Sequence, residues 1–226
     1  ARKVYASTDD GQTWREDVDA AKGPYGLKLP NGEWLRTDTL PATPITQVQL
    51  PVQRAERISY KTPYQLYLLG ELPPNLRNLY FQRFNKKWTP ESQPFDDPDA
   101  LRYATEGLIP QIWWGDMKVL PDKSIVALTY PYYHRSQPTP FTSTASYRST
   151  DSGRSWRKTG HILYNEPDRR RDGFTEPALE LLPNGDLLAI LRTTDGNGVG
   201  PMYLTRSTDI GVTWSAPKAF TETGVL

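Results

Sequence analysis

Ser149-Thr150-Asp151-Ser152-Gly153-Arg154-Ser155-Trp156 reads S-T-D-S-G-R-S-W, and the pattern occurs twice more. Ser7-Thr8-Asp9-Asp10-Gly11-Gln12-Thr13-Trp14 and Ser207-Thr208-Asp209-Ile210-Gly211-Val212-Thr213-Trp214 share the form S-T-D-x-G-x-[S/T]-W. The chemistry is that of a tight turn between two strands. Ser and Asp side chains accept hydrogen bonds from backbone N–H groups within the loop, Gly supplies a positive φ, and Trp re-enters the sheet with a large apolar surface to bury. A calcium loop needs a denser set of oxygen ligands than D-x-G offers, so the Asp residues read as turn formers.

A second repeat, L-P-[N/D]-[G/K], lies upstream of each of two boxes and once near the N-terminus: Leu29-Pro30-Asn31-Gly32, Leu120-Pro121-Asp122-Lys123 and Leu182-Pro183-Asn184-Gly185. Apolar segments follow it, Ser124-Ile125-Val126-Ala127-Leu128 and Leu187-Leu188-Ala189-Ile190-Leu191 being the clearest. This is a hairpin turn entering a buried strand. One unit therefore runs strand, L-P-N-G turn, strand, loop, strand, S-T-D-x-G turn, strand, which is the four-stranded antiparallel blade of a β-propeller. The segment Tyr80–Trp88 lacks the box and reads as a degenerate blade, with Trp14, Trp88, Trp156 and Trp214 marking blade ends. About three and a half blades are expected over residues 1–226, read as one domain incomplete at both ends, because an open ring would expose two blade edges. Trp156 and Trp214 are expected to be buried between blades.

Composition narrows the function. The chain has 226 residues, 21 Pro and 16 Gly, and balances 27 Lys and Arg against 26 Asp and Glu for a net charge of +1. The balance gives no electrostatic case for nucleic acid or an anionic membrane. No apolar run reaches the length of a membrane span. With no Cys and two His, His134 and His161, thiolate zinc sites, cysteine nucleophiles and histidine-rich metal sites are excluded. No signal peptide is visible, but the lack of Cys fits an extracellular or periplasmic protein.

The three boxes resemble the Asp-box repeats of the sialidase superfamily, over residues 108–226 and 7–14 most clearly. That resemblance implies an all-β, six-bladed propeller. A second segment extends it: Phe174-Thr175-Glu176-Pro177 through Leu182-Pro183-Asn184-Gly185 to Ile190-Leu191-Arg192 resembles the family's pattern of Glu, strand, turn, strand and Arg. By that resemblance Glu176 is the catalytic residue that polarises a tyrosine nucleophile, and Arg192 clamps the substrate carboxylate. The resemblance further implies that the tyrosine and a third arginine follow Leu226, and that the acid Asp and the first arginine lie upstream of Ser7–Trp14. The chain contains no F/Y-R-I-P motif, the usual carrier of that first arginine.

Spacing tests the pair independently. If Pro183-Asn184-Gly185 is a three-residue loop closed by Gly at positive φ, Leu182 pairs with Asp186. Counting six residues outward then sets Glu176 opposite Arg192 on one sheet face. A two-residue loop would put them on opposite faces. The alternative reading is a plain cross-strand ion pair.

Tyr132 and Tyr133, in Tyr130-Pro131-Tyr132-Tyr133-His134-Arg135, follow a buried strand and are candidate substrate-binding residues, or a loop packed on itself. The run Arg169-Arg170-Arg171 precedes Glu176 and reads first as a solvated loop. Taken together, the expected function is a sialidase-like retaining exo-glycosidase for terminal acidic sugars, with a glycan partner and no cofactor or metal. A non-catalytic propeller that binds glycans or protein, and a related hydrolase for another sugar, remain alternatives.

Overall fold

The computed structural model describes residues 3–37, 78–97, 111–132, 144–164, 173–193 and 200–221. Among them the fold is built from antiparallel strands, with one five-residue helix, α1 (Val18–Lys22), capped by the Asp17 carboxylate through the Asp19 and Ala20 N–H groups. The helix was not anticipated from the sequence, although Asp17 is a favoured N-cap residue.

The first unit is represented by the hairpin β1 (Tyr5–Ala6) and β2 (Arg15–Glu16) around the first S-T-D-x-G turn. The second contains β3 (Leu27–Lys28), β4 (Trp34–Thr37), β5 (Asn78–Asn85) and β6 (Lys87–Asp96). The third contains β7 (Gln111–Val119), β8 (Ile125–Tyr132), β9 (Thr144–Ser149) and β10 (Trp156–Ile162). The fourth contains β11 (Phe174–Leu181), β12 (Leu187–Thr193), β13 (Tyr203–Ser207) and β14 (Lys218–Ala219). Each four-stranded unit is an antiparallel meander, the form of a propeller blade.

The turns between first and second strands share one geometry. Gly185 N–H donates to the Leu182 carbonyl at 2.9 Å and Leu182 N–H to the Asp186 carbonyl at 2.8 Å, so Leu182 and Asp186 close a three-residue loop. Gly185 sits at φ +90. Leu29–Glu33 and Leu120–Ser124 repeat the two bonds.

The S-T-D-x-G turns are equally uniform. In the third unit Ser149 Oγ donates to Asp151 Oδ1 at 2.7 Å and accepts from Gly153 N–H at 2.8 Å. Asp151 also takes the N–H groups of Arg154 and Ser155 and the Ser155 hydroxyl. Asp9 and Asp209 hold Thr13 and Thr213 in the same way. These carboxylates are filled by donors of their own loops.

Trp environments grade along the chain. Trp156 is 2% exposed, stacks on Phe81 at 5.5 Å and 9°, and donates its indole N–H to Gln93 Oε1 at 2.6 Å, so it seals the third unit onto the second. Trp214 makes the matching contact one unit on, donating to Ser146 Oγ at 2.9 Å, but is only partly buried, which corrects the expectation of two equivalent core tryptophans. Its seat, Ser146, lacks the aromatic ring that Phe81 gives Trp156. Trp14 is 63% exposed and bonds to the Gly11 carbonyl of its own loop.

The second unit departs most from the repeat. Its last two strands join through a tight turn with Lys86 at φ +65, Phe84 opposite Trp88, and no box. Trp88 is partly buried beside Phe84 and Tyr25. Arg83 ties this unit to the one that follows it. It is 5% exposed, and its guanidinium donates to Glu91 at 2.6 Å, to Glu33 at 3.0 Å and to the Ser152 and Gly153 carbonyls of the next unit, each at 3.0 Å. The two units also fuse at one edge, where β10 runs parallel to β6 with Trp156 opposite Phe95, giving one eight-stranded sheet in place of two separate blades. Anchoring of Trp156 on Gln93 brings the start of β10 alongside the end of β6.

Two apolar clusters fill the spaces between units. One joins Leu35 and Phe81 to Ile125, Tyr147 and Trp156; the other joins Val126, Leu128 and Ile162 to Leu179, Leu187 and Leu191. The third unit therefore has both faces in use, Ile125 and Ala127 on one and Val126 and Leu128 on the other, whereas β13 of the fourth unit alternates buried and exposed residues.

Candidate functional site

The strand β11 carries Glu176 at the first strand of its unit. From Leu181 back to Ala178 its register with β12 follows the three-residue loop: Leu181 faces Leu187 and Ala178 faces Ile190. The ladder then slips, and Arg192 lies opposite Thr175, not Glu176. The cause is in the sequence: Pro177 has no N–H to give to the ladder. The extra residue is absorbed as a bulge, and Glu176 adopts φ +43. A bulky residue at positive φ is strained, and one preceding proline is further restricted.

The bulge redirects the Glu176 side chain without separating the pair. Arg192 Nη1 donates to Glu176 Oε2 at 2.5 Å, with the two side chains 37% and 54% exposed. Arg192 makes no other polar side-chain contact among the described residues. Behind the pair, Thr175 is buried with its hydroxyl unpartnered among the described residues, and Thr193 donates to the Pro201 carbonyl at 2.6 Å.

The neighbouring unit has a matching irregularity. The register of β7 with β8 slips between Trp114 and Met117, placing a bulge at Gly115–Asp116. The two bulges touch. A Cβ on Gly115 would lie 2.4 Å from the Pro177 carbonyl oxygen, so only glycine fits this approach. Asp116 bridges the two strands, accepting from its neighbour Met117 N–H at 2.7 Å and from Leu179 N–H across the gap at 3.2 Å. Lys118 spans the same gap to Glu180 at 3.0 Å, and its hydrogen bond holds the Glu180 carboxyl below the ordinary carboxylate range. The sequence reading missed Asp116 and Lys118; Gly115 before Asp116, on a strand facing the one that carries Pro177, was the available signal.

Tyr132 ends β8, with its main chain opposite Gln111. Tyr133 and the Arg169–Arg171 run lie outside the described residues. Among the described residues no three His, Cys, Asp or Glu side chains are grouped to hold a metal ion, and no helix is long and apolar enough to cross a membrane.

No protein-family model and no curated protein matches the chain. Solved structures do. A protein of unknown function from Dyadobacter fermentans aligns at 21% identity and TM-score 0.55, covering 93% of this chain and 56% of its own. An α-L-arabinanase of Penicillium chrysogenum complexed with arabinobiose aligns at 18% identity and TM-score 0.48, covering 86% of this chain and 48% of its own. A Hadza microbial sialidase aligns at 19% identity and TM-score 0.43, over 62% of this chain and 24% of its own. The chain thus spans little more than half of the first of these structures and less of the others. The first likeness concerns fold, and supports the all-β reading of stacked four-stranded units.

Proposed function

We propose that the chain is part of a six-bladed propeller domain, extracellular or periplasmic, that acts as a retaining exo-glycosidase on terminal acidic sugars of glycans, sialic acid first among them. One observation carries this reading: Arg192 and Glu176 are held together at 2.5 Å on a strained bulge, with both side chains open to solvent. An exposed ion pair contributes only about 0–1 kcal/mol, so stability alone is a weak reason to keep this one.

The chemistry follows from the residue types. The Arg192 guanidinium offers a planar fork that suits a sugar carboxylate. Glu176 accepts a proton from a tyrosine that the reading places beyond Leu226. The tyrosine oxygen then attacks the anomeric carbon as the bond to the leaving sugar breaks, the leaving oxygen taking a proton from the acid Asp that the reading places upstream of Ser7–Trp14. A neutral tyrosine avoids the repulsion that a carboxylate nucleophile would meet from an anionic substrate. Water completes hydrolysis with net retention.

The test is turnover of a fluorogenic sialoside by the whole protein and its Glu176→Gln and Arg192→Lys variants. Loss of turnover in both supports the reading. Unchanged rates in both on every substrate turned over by the parent protein would make the pair a structural ion pair. Glycan binding without turnover by the parent protein would favour a non-catalytic propeller.

A further inference from the structure

The bulge that carries Glu176 is held from both sides. On one side is β12: Thr175 stays opposite Arg192 and Ala178 opposite Ile190, so Glu176 and Pro177 together stand against Leu191 alone. On the other side is β7 of the third unit, because β11 is the outermost strand of its own sheet. An outermost strand leaves a row of backbone groups unpaired along its free edge. Two residues of β7 meet that edge. Asp116 Oδ2 accepts the Leu179 N–H at 3.2 Å. Gly115 lies so close to Pro177 that a Cβ would stand 2.4 Å from the carbonyl oxygen and 2.5 Å from the proline ring. The approach is possible because β7 bulges there too, with Gly115 and Asp116 together against Leu128.

Asp116 reaches Leu179 from a fixed base. Its Oδ1 accepts from Met117 N–H at 2.7 Å, and Lys118 Nζ lies 3.7 Å from its Oδ2 while bonding to Glu180 at 3.0 Å. Arg192 is placed by other means. Its strand keeps an unbroken register with β13 from Leu187 opposite Ser207 to Leu191 opposite Tyr203. The two members of the pair thus depend on different supports, Arg192 on its own sheet and Glu176 on contacts from the preceding unit as well.

We infer that Gly115 and Asp116 are positioning residues for Glu176: they brace β11 in the bulged form that sets the Glu176 carboxylate beside Arg192. Pro177 excludes a regular ladder but does not choose how the extra residue is absorbed. Glu176 at φ +43 is strained, and such strain persists only where surrounding contacts sustain it. The catalytic consequence rests on the proposed glycosidase reading; the bracing of the bulge does not.

The first test needs no substrate. In urea unfolding of the whole protein, the folding constant of Glu176→Gly should exceed that of Glu176→Ala by about fivefold, the effect of positive φ. With Asp116→Ala added to both, the ratio should fall below about twofold, because an unbraced bulge relaxes toward the β region. An unchanged ratio overturns the inference, and so does a ratio near one without Asp116→Ala, since no strain would then need a brace. The second test is turnover of the fluorogenic sialoside at a temperature where every variant is folded. Asp116→Ala should lower kcat by about tenfold or more with KM within about twofold, because Glu176 is displaced while Arg192 keeps its place. Gly115→Ala, which drives a methyl group against Pro177, should lower kcat likewise. Asp116→Asn retains an oxygen that can accept the Leu179 N–H, and its kcat should lie between those of Asp116→Ala and the parent protein. Parental kcat in both alanine variants, or a rise in KM alone, overturns the inference. If the parent protein turns over no sialoside while the unfolding ratio still collapses, the glycosidase reading fails and the bracing of Glu176 stands.

Discussion

The Arg83 guanidinium of one unit reaches the Gly153 carbonyl of the next at 3.0 Å, inside the turn that Asp151 organises. It is the hub of a buried chain that runs from Glu33 and Glu91 through Gln93 to the Trp156 indole. Arg148 and Arg206 occupy the same place in their units, opposite Val126 and Leu188 as Arg83 is opposite Leu35, and pair with Asp122 and Asp186. The repeat thus includes a third-strand Arg and a carboxylate on the L-P-x-x hairpin.

Removing the hub should be costly. Arg83→Ala leaves Glu33 and Glu91 with the more distant Arg154, at 3.7 and 3.9 Å, and leaves two carbonyls unpaired, so chemical denaturation should show a loss of about 2–4 kcal/mol. A loss below about 1 kcal/mol would show that water replaces the guanidinium without penalty.

The tryptophans should rank by burial. Trp156→Ala should destabilise by about 3–5 kcal/mol, as large core truncations do. Trp214→Ala, removing a partly buried ring and one hydrogen bond, should give about 2 kcal/mol. Trp14→Ala should stay within about 0.5 kcal/mol. Equal values for all three would contradict the graded packing.

Acid should act through the boxes. Hydrogen bonds from the Thr13 and Thr213 side chains lead in lowering Asp9 and Asp209, and at Asp151 burial raises the pKa but hydroxyl and N–H donors prevail, so all three carboxyls fall from 3.8 to about 2. A carboxyl that binds protons less well when folded adds stability above its unfolded pKa, and that stability fades as pH falls through the folded value. Stability should therefore drop between about pH 4 and pH 2. Asp209→Asn should flatten this part of the curve, measured by urea denaturation at stepped pH; parallel curves for variant and parent would count against the loop bonds as the source.

Much of this architecture was legible because turns carry local chemistry. Pro183, Asn184 and Gly185 specify their loop within a few residues, and the predicted pairing of Leu182 with Asp186 is the one observed. The register of Glu176 was not legible by counting, because counting assumes an unbroken ladder and Pro177 breaks it. Pro177 was visible in the sequence, and a proline inside a strand is itself a sign of a bulge. The parallel contact of β6 with β10 and the Arg83 hub join residues dozens of positions apart. No short pattern encodes them, since they depend on how one unit stacks on the next.

The strained bulge gives the last prediction, which concerns whether Glu176 is placed for stability or for chemistry. Glu176→Ala and Glu176→Gly both delete the carboxylate and the contact with Arg192. They differ in what φ +43 demands of the backbone. Elsewhere glycine is the worse choice, since it adds roughly 0.4–1 kcal/mol of freedom to the unfolded chain. At positive φ that penalty is outweighed by steric relief, strain at such residues being about 1–3 kcal/mol. Glu176→Gly should thus be more stable than Glu176→Ala by about 1 kcal/mol, read from thermal or urea unfolding of the two variants. It should also equal or exceed the parent protein, because an exposed ion pair gives back only about 0–1 kcal/mol. A position where glycine would be more stable, yet which carries Glu, keeps its side chain for a reason other than folding. If Ala proves as stable as Gly, the bulge is relaxed, and the argument from strain to chemistry at Glu176 fails.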